Sequence, residues 1–173
     1  MNVEAEQRFI GFRLGQAGVA LPLEVVRLVA EHPRIVRVPG SHPFVKGVVL
    51  RDGVAVPAYD LRRFDPLWRT PVSRAPGGIE EAGDQLIVCE WGEAAVGLLG
   101  SRVDLMRGPG SDAGEGKVDE TCAMNAQYVT RVLRVSGETI ALLDADRLFA
   151  SMGVPAAEPR GRRQAGEDDS AGG

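Results

Sequence analysis

Only two cysteines and two histidines occur among the 173 residues, and their placement removes whole classes of chemistry. Cys89 and Cys122 lie far apart, with no CxxC and no paired histidine spacing, so neither a zinc site nor a disulfide framework is indicated. Cys89 stands in an apolar run and reads as a small buried hydrophobe. His32 and His42 each precede a proline, Pro33 and Pro43, which is loop context. A basic face is missing too. Eighteen of the 20 cationic residues are arginine, but they are scattered among 24 acidic residues, for a net charge of −4. A nucleic-acid footprint would instead show as a basic stripe. No run approaches the apolar length that spans a bilayer, and the segment Met1-Asn2-Val3-Glu4-Ala5-Glu6 lacks the basic and apolar regions of a signal peptide. The expectation is a cytoplasmic protein without membrane insertion. With 44% hydrophobic and 25% charged residues, the composition is that of an ordinary globular chain of one domain or two small ones.

Catalytic groups are equally scarce. An enzyme needs a nucleophile, a base and a stabilising group within reach of one another. Ser41 and His42 are adjacent in sequence, yet they sit in a Pro-Gly-Ser-His-Pro loop, where Gly and Pro punctuate a turn. Gly15-Gln16-Ala17-Gly18 lacks the GxxxxGK[ST] pattern of a phosphate loop. Asp60 and Asp144 could be imagined as an acid–base pair, but they recur at the same place in two copies of one pattern, which favours helix capping. No catalytic residue, metal or cofactor is expected.

What the chain does contain is a duplication. Phe12, Gly15, Val19, Leu21, Val26 and Leu28 recur as Cys89, Gly92, Val96, Leu98, Val103 and Leu105, a shift of 77. Phe44, Val45, Val48, Gly53, Val56, Asp60 and Phe64 recur as Tyr128, Val129, Val132, Gly137, Ile140, Asp144 and Leu148, a shift of 84. Every match is an apolar residue, a turn glycine or an aspartate closing an apolar run, so a packing pattern was copied. Two copies are too few for a solenoid.

Residues 9–14 and 19–21 read as strands around a glycine turn. Residues 24–29 fit a helical turn or a strand equally, since short apolar runs are ambiguous by period. Residues 35–38 read as a strand closed by Pro39-Gly40. Residues 45–50 and 54–58 flank Asp52-Gly53, a strong hairpin signal. Strands at 86–91, 95–99, 129–135 and 139–143 follow, with short helices capped by Asp60 and Asp144. Residues 108–117, rich in glycine, are expected to form a mobile loop. The expected organisation is an N-terminal extension at 1–8, a first β-barrel half at 9–65, a linker at 66–84, a second half at 85–154 and a disordered tail at 155–173. The tail should be dispensable for folding. The fold class is all-β with short helices, as two small five-stranded β-barrels in contact, an arrangement that would also remove exposed strand edges.

Arg37-Val38-Pro39-Gly40-Ser41, Pro43-Phe44-Val45-Lys46-Gly47-Val48-Val49 and Val56-Pro57-Ala58-Tyr59-Asp60-Leu61-Arg62 resemble, in order and spacing, the signature of CheW-type chemotaxis coupling proteins. Val96-Gly97-Leu98-Leu99 and the segment from Ile140 to Leu148 extend the likeness, which spans residues 9–149. The resemblance implies two five-stranded barrels, no catalysis, and a scaffold that joins chemoreceptor cytoplasmic tips to the regulatory domain of a CheA-type histidine kinase, with other CheW-like proteins as further partners. Carried over by position, it implies a receptor groove formed by Val26, Leu28, Val29, Gly97, Leu98 and Leu99. Lys46, Gly47, Leu50, Arg51, Asp52 and Gly53 would form a polar rim and hairpin. The chain departs from the family at Asp52, which stands where Asn-Leu-Arg-Gly usually places arginine, at Arg131, and at Gly100-Ser101-Arg102. Three alternatives stand beside the coupling role: an accessory variant that keeps one partner, a small-ligand sensor, and an enzyme using the cleft between barrels.

Overall fold

A computed structural model describes residues 7–69, 83–108 and 122–154. Residues 1–6, 70–82, 109–121 and 155–173 lie outside the described residues, and with them most of the expected linker and mobile loop and all of the expected tail. The described chain forms β1 (Arg8–Leu14), β2 (Ala17–Pro22), β3 (Val26–Ala30), β4 (Val45–Arg51), β5 (Val54–Tyr59), β6 (Gln85–Trp91), β7 (Ala94–Arg107), β8 (Val129–Val135), β9 (Glu138–Leu143) and α1 (Ala145–Ser151). The ambiguous stretch at 24–29 is both things in turn: a 3-10 turn over Leu23–Val25 feeds β3. The strand expected at 35–38 is reduced to one bridge, Val36 to Val48.

The duplication is visible as backbone geometry. Asp52-Gly53 and Ser136-Gly137 both turn with positive φ at both residues (48° and 78°, 51° and 81°), the conformation of a type I′ hairpin. Both hairpins carry a bulge at their base, between Val45 and Gly47 and between Val129 and Arg131. Asp60 N–H donates to the Phe44 carbonyl and Asp144 N–H to the Tyr128 carbonyl, each at 2.8 Å. Each aspartate then caps the next turn through its side chain, Asp60 to Arg62 N–H and Asp144 to Arg147 N–H. Asp144 is the more exposed cap, so Asp144→Ala should cost about 1 kcal/mol, the usual value of a lost N-cap; a urea-unfolding midpoint indistinguishable from the parent's would contradict this.

The strands are not grouped by halves. One lobe runs β3-β6-β7-β5-β4 and the other β7-β1-β2-β9-β8, with β7 split between them: residues 94–100 pair with β6 and residues 101–107 with β1. β2 lies parallel to β9, and β5 parallel to β7. The expected barrel per half is therefore corrected, because each lobe takes strands from both copies. The cause is local. β2 ends at Pro22, and the 3-10 turn that follows leads the chain away from β2 where a hairpin would fold it back, so β3 pairs with β6 instead. The lobes form one continuous nine-stranded sheet that strand pairing does not close into a barrel among the described residues.

Strand β7 changes lobes at Ser101-Arg102. Arg102 takes φ +50°, and the Val103 N–H freed by the bulge donates to Gln85 Oε1 at 3.1 Å. Three apolar clusters follow from the strand alternation. Val49, Val56, Ala58, Leu86, Val88 and Leu99 fill one lobe, and Phe9, Ala20, Leu133, Ile140 and Leu142 fill the other. The largest, including Leu21, Leu61, Ile87, Leu98, Leu143 and Phe149, draws on strands of both lobes. Strands β6 and β9 are buried on both faces, which is why Leu-Ile-Val-Cys and Ile-Ala-Leu-Leu are apolar throughout.

Candidate partner-contact surface

The residues expected to form a receptor groove separate into two sets. Val26 and Val29 on β3 are half-buried against the central cluster, and Leu28 against the core of its own lobe. β3 pairs only with β6, so this strand leaves one edge free among the described residues. Gly97, Leu98 and Leu99 are interior. Leu98 belongs to the central cluster and Leu99 to the lobe core. A Cβ on Gly97 would meet Leu86 Cδ1 at 2.7 Å and the Pro57 carbonyl at 3.0 Å. These three hold β7 against β5 and β6 and are buried in the interior.

The hairpin fares differently. Gly47 is structural, since a Cβ there would lie 2.1 Å from the Val36 carbonyl oxygen, and this close approach lets the 35–36 segment bridge β4. Lys46 sits at the bulge and Gly53 in the turn. Leu50, however, is 71% exposed, Val36 65% and Val54 58%. Register explains the exposure. Val49 opposes Val56 on the inner face, so Leu50 opposes Ala55 on the outer one, and Val36 joins that face through Val48. Val54 opposes Arg51 at the tip, beyond the core. The outer face of this hairpin thus exposes the apolar side chains of Leu50 and Val36 beside the residues expected to form a polar rim, and Val54 is exposed at the tip. Val36 and Val54 were missed, although the Ile35–Val38 alternation and the position of Val54 beside the turn could have signalled them.

Polar groups elsewhere are engaged structurally. Ser41 Oγ donates to the Val38 carbonyl at 2.8 Å, and the His42 ring stacks on Phe44 at 5.4 Å, so the pair forms no proton relay. Burial pushes the Cys89 thiol up to about 12 and raises Tyr59 as well, leaving no reactive thiolate at Cys89. Arg131, the second departure from the family pattern, lies over the Phe9 ring at 5.5 Å and hydrogen-bonds Gln7, anchoring the start of β1. The space between lobes is a packed core with Leu21, Leu61, Leu98, Leu148 and Phe149 fully buried, which disfavours a ligand or catalytic cleft there. Among the described residues no cluster of His, Cys, Asp or Glu could hold a metal ion, and no helix is long and apolar enough to cross a membrane.

A duplicated β-sheet unit with a packed junction and an exposed apolar hairpin has the build of a protein that works by contact. The chain belongs to the CheW-like domain family, whose model matches residues 8–153. The fold is also similar to that in the crystal structure of the scaffolding protein TtCheW from Thermoanaerobacter tengcongensis, at 15% identity over 91% of each chain with a TM-score of 0.65. No curated protein sequence matches the chain. The all-β fold class expected from the sequence is thereby established, and the family is one of non-catalytic scaffolds.

Proposed function

We propose that this protein is a chemosensory adaptor in the cytoplasm, joining chemoreceptor cytoplasmic tips to the regulatory domain of a CheA-type histidine kinase without catalysis of its own. The observation that supports this reading best is the exposed apolar pair Val36 and Leu50 on one face of the β4–β5 hairpin, with Val54 exposed at its tip, in a CheW-like fold. Exposed apolar side chains grouped in one place favour protein contact over solvation. Pull-down of the full chain with a receptor cytoplasmic fragment and with the kinase regulatory domain, scored separately, tests it. Binding to neither would sink the proposal.

The accessory variant, which keeps one partner, rests on Asp52. This residue is exposed in the left-handed turn position, next to Arg51 on the strand. An aspartate tolerates positive φ better than arginine does, so turn geometry alone could account for it. The substitution Asp52→Arg separates the explanations. If the charge directs partner choice, affinity for one of the two partners should rise by about 1 kcal/mol or more, while stability changes by a few tenths as at an exposed site. Unchanged titrations with both partners, at low and high salt, would leave turn geometry as the whole reason.

A further inference from the structure

The two copies carry opposite charge. Residues 7–69 hold ten cationic side chains against five acidic ones, and residues 83–154 hold six against eleven, so equal and opposite excesses cancel within the chain. Three ion pairs between the copies run in the same sense: Arg13 to Glu138, Arg27 to Glu90, and Arg62 to Asp84 at 2.6 Å, each an arginine of the first copy on a carboxylate of the second. Each lobe combines the first two strands of one copy with the last three of the other. β1 and β6 occupy the same positions at the shift of 77, and β4 and β5 those of β8 and β9 at the shift of 84. Arg13 therefore corresponds to Glu90, Arg27 to Asp104, Arg62 to Asp146, Gln7 to Asp84 and Val54 to Glu138. A first copy paired with its own kind would set Arg27 against Arg13, and would leave Arg13 beside Val54 and Arg62 beside Gln7. A second copy so paired would set Asp104 and Glu138 against Glu90, and Asp146 against Asp84. In the observed fold Asp146 instead accepts the Trp91 indole N–H at 2.9 Å.

From this pattern we infer that charge sets the pairing rule of the duplicated chain: it admits first copy with second and rejects either copy with its own kind, within one chain and between neighbouring chains alike. The 3-10 turn after Pro22 leads β3 away from β2, and the charges decide which copy's first strand receives it. The apolar positions and turn glycines cannot make that choice, because they are what the copies share. Exposed ion pairs are individually weak, and like charges facing each other on neighbouring strands are destabilising. Discrimination therefore comes from several positions acting together, and as much from rejecting the wrong partner as from holding the right one.

Refolding of the full chain from urea tests the rule. Arg27→Glu and Glu90→Arg should each lower the unfolding midpoint, and Arg27→Glu/Glu90→Arg should regain it, because the ion pair is rebuilt with its ends exchanged. In that double variant, however, position 27 is complementary to Arg13, and position 90 to Asp104 and Glu138, so pairing of like copies becomes attractive. After refolding, misassembled protein should be about tenfold more abundant than for the parent, and the excess should shrink in high salt. Size exclusion with light scattering detects paired chains. Val26→Cys, placed in every chain compared, adds a second readout, since Val26 is the register partner of Cys89 and a disulfide closes there within one chain only when first copy meets second. Adding Arg13→Glu, Asp104→Arg and Glu138→Arg to the double variant reinstates the rule with its signs inverted and should return refolding to the parent's behaviour. A double variant that refolds as cleanly as the parent at every salt concentration overturns the rule and leaves three ordinary ion pairs. Misassembly that persists in the inverted chain overturns it as well, by tracing the fault to the positions and not to their charge.

Discussion

Cut between residues 76 and 77, neither fragment of this chain is expected to fold alone. The repeat suggests two separable modules, but every lobe depends on strands from both sides of the cut. Residues 1–76 would hold β1 to β5 without the β6 partner of β3, the β7 partner of β1 and β5, or the β9 partner of β2. The central cluster would lose Ile87, Leu98, Leu143, Leu148 and Phe149 from one fragment and Phe12, Val19, Leu21, Leu61 and Phe64 from the other. Two-stranded hairpins without a packed face are marginal in water, and a whole domain is stable by only about 5–15 kcal/mol. Essentially all of that stability should vanish. Each fragment should show no cooperative urea transition by circular dichroism, and an equimolar mixture should regain one. A fragment that unfolds cooperatively by itself would mean that a lobe can assemble from a single copy.

Nearly every strand was legible in the sequence, because the code for strand and turn is local: short apolar runs, the glycine turns between them, Asp-Gly at the first hairpin, and aspartates at the caps. The pairing was not. Residues 95–99 read as one short strand because Gly100 ends the apolar run, and nothing local says that β7 continues to Arg107 after a bulge whose Val103 N–H is held by Gln85, 18 residues upstream. The offset of 77 does hold the answer in retrospect. Val26 and Leu28 of β3 match Val103 and Leu105, which lie in the second half of β7, so the copies exchange their third strands. The placement of the candidate site residues was legible to a lesser degree. Motif position named the hairpin, β3 and Gly97 to Leu99 alike, and nothing local says that Gly97, Leu98 and Leu99 are buried, since that burial depends on the parallel partner β5, a contact between the two halves of the chain.

Arg62→Met is expected to be the most damaging single substitution among the charged residues. Among the described residues Asp60 is the one buried charged residue, only 3% exposed, and the Arg62 guanidinium answers it through Nε at 2.7 Å. The same guanidinium reaches Asp84 with two hydrogen bonds, at 2.6 and 3.3 Å, and so ties the turn after β5 to the chain entering β6. Burial works against the charge on Arg62, but hydrogen bonds and attraction from Asp60 and Asp84 outweigh it and raise its pKa above the usual value. The methionine would fill much of the volume yet leave the Asp60 carboxylate with Arg63 at 3.7 Å as its remaining cation. Stranding one member of a buried pair typically costs about 3–5 kcal/mol, several times the value expected for the exposed cap at Asp144. Replacing both partners, in Asp60→Asn/Arg62→Met, should recover part of that loss, because the uncompensated charge is gone while the cap survives. Trp68 gives a local readout, since its indole N–H donates to the Leu61 carbonyl at 2.9 Å inside the adjoining turn. Its emission should shift to the red in Arg62→Met and return toward the parent in the double variant. Equal losses from Arg62→Met and Asp144→Ala would show that the two aspartates are interchangeable caps and that the buried network adds nothing.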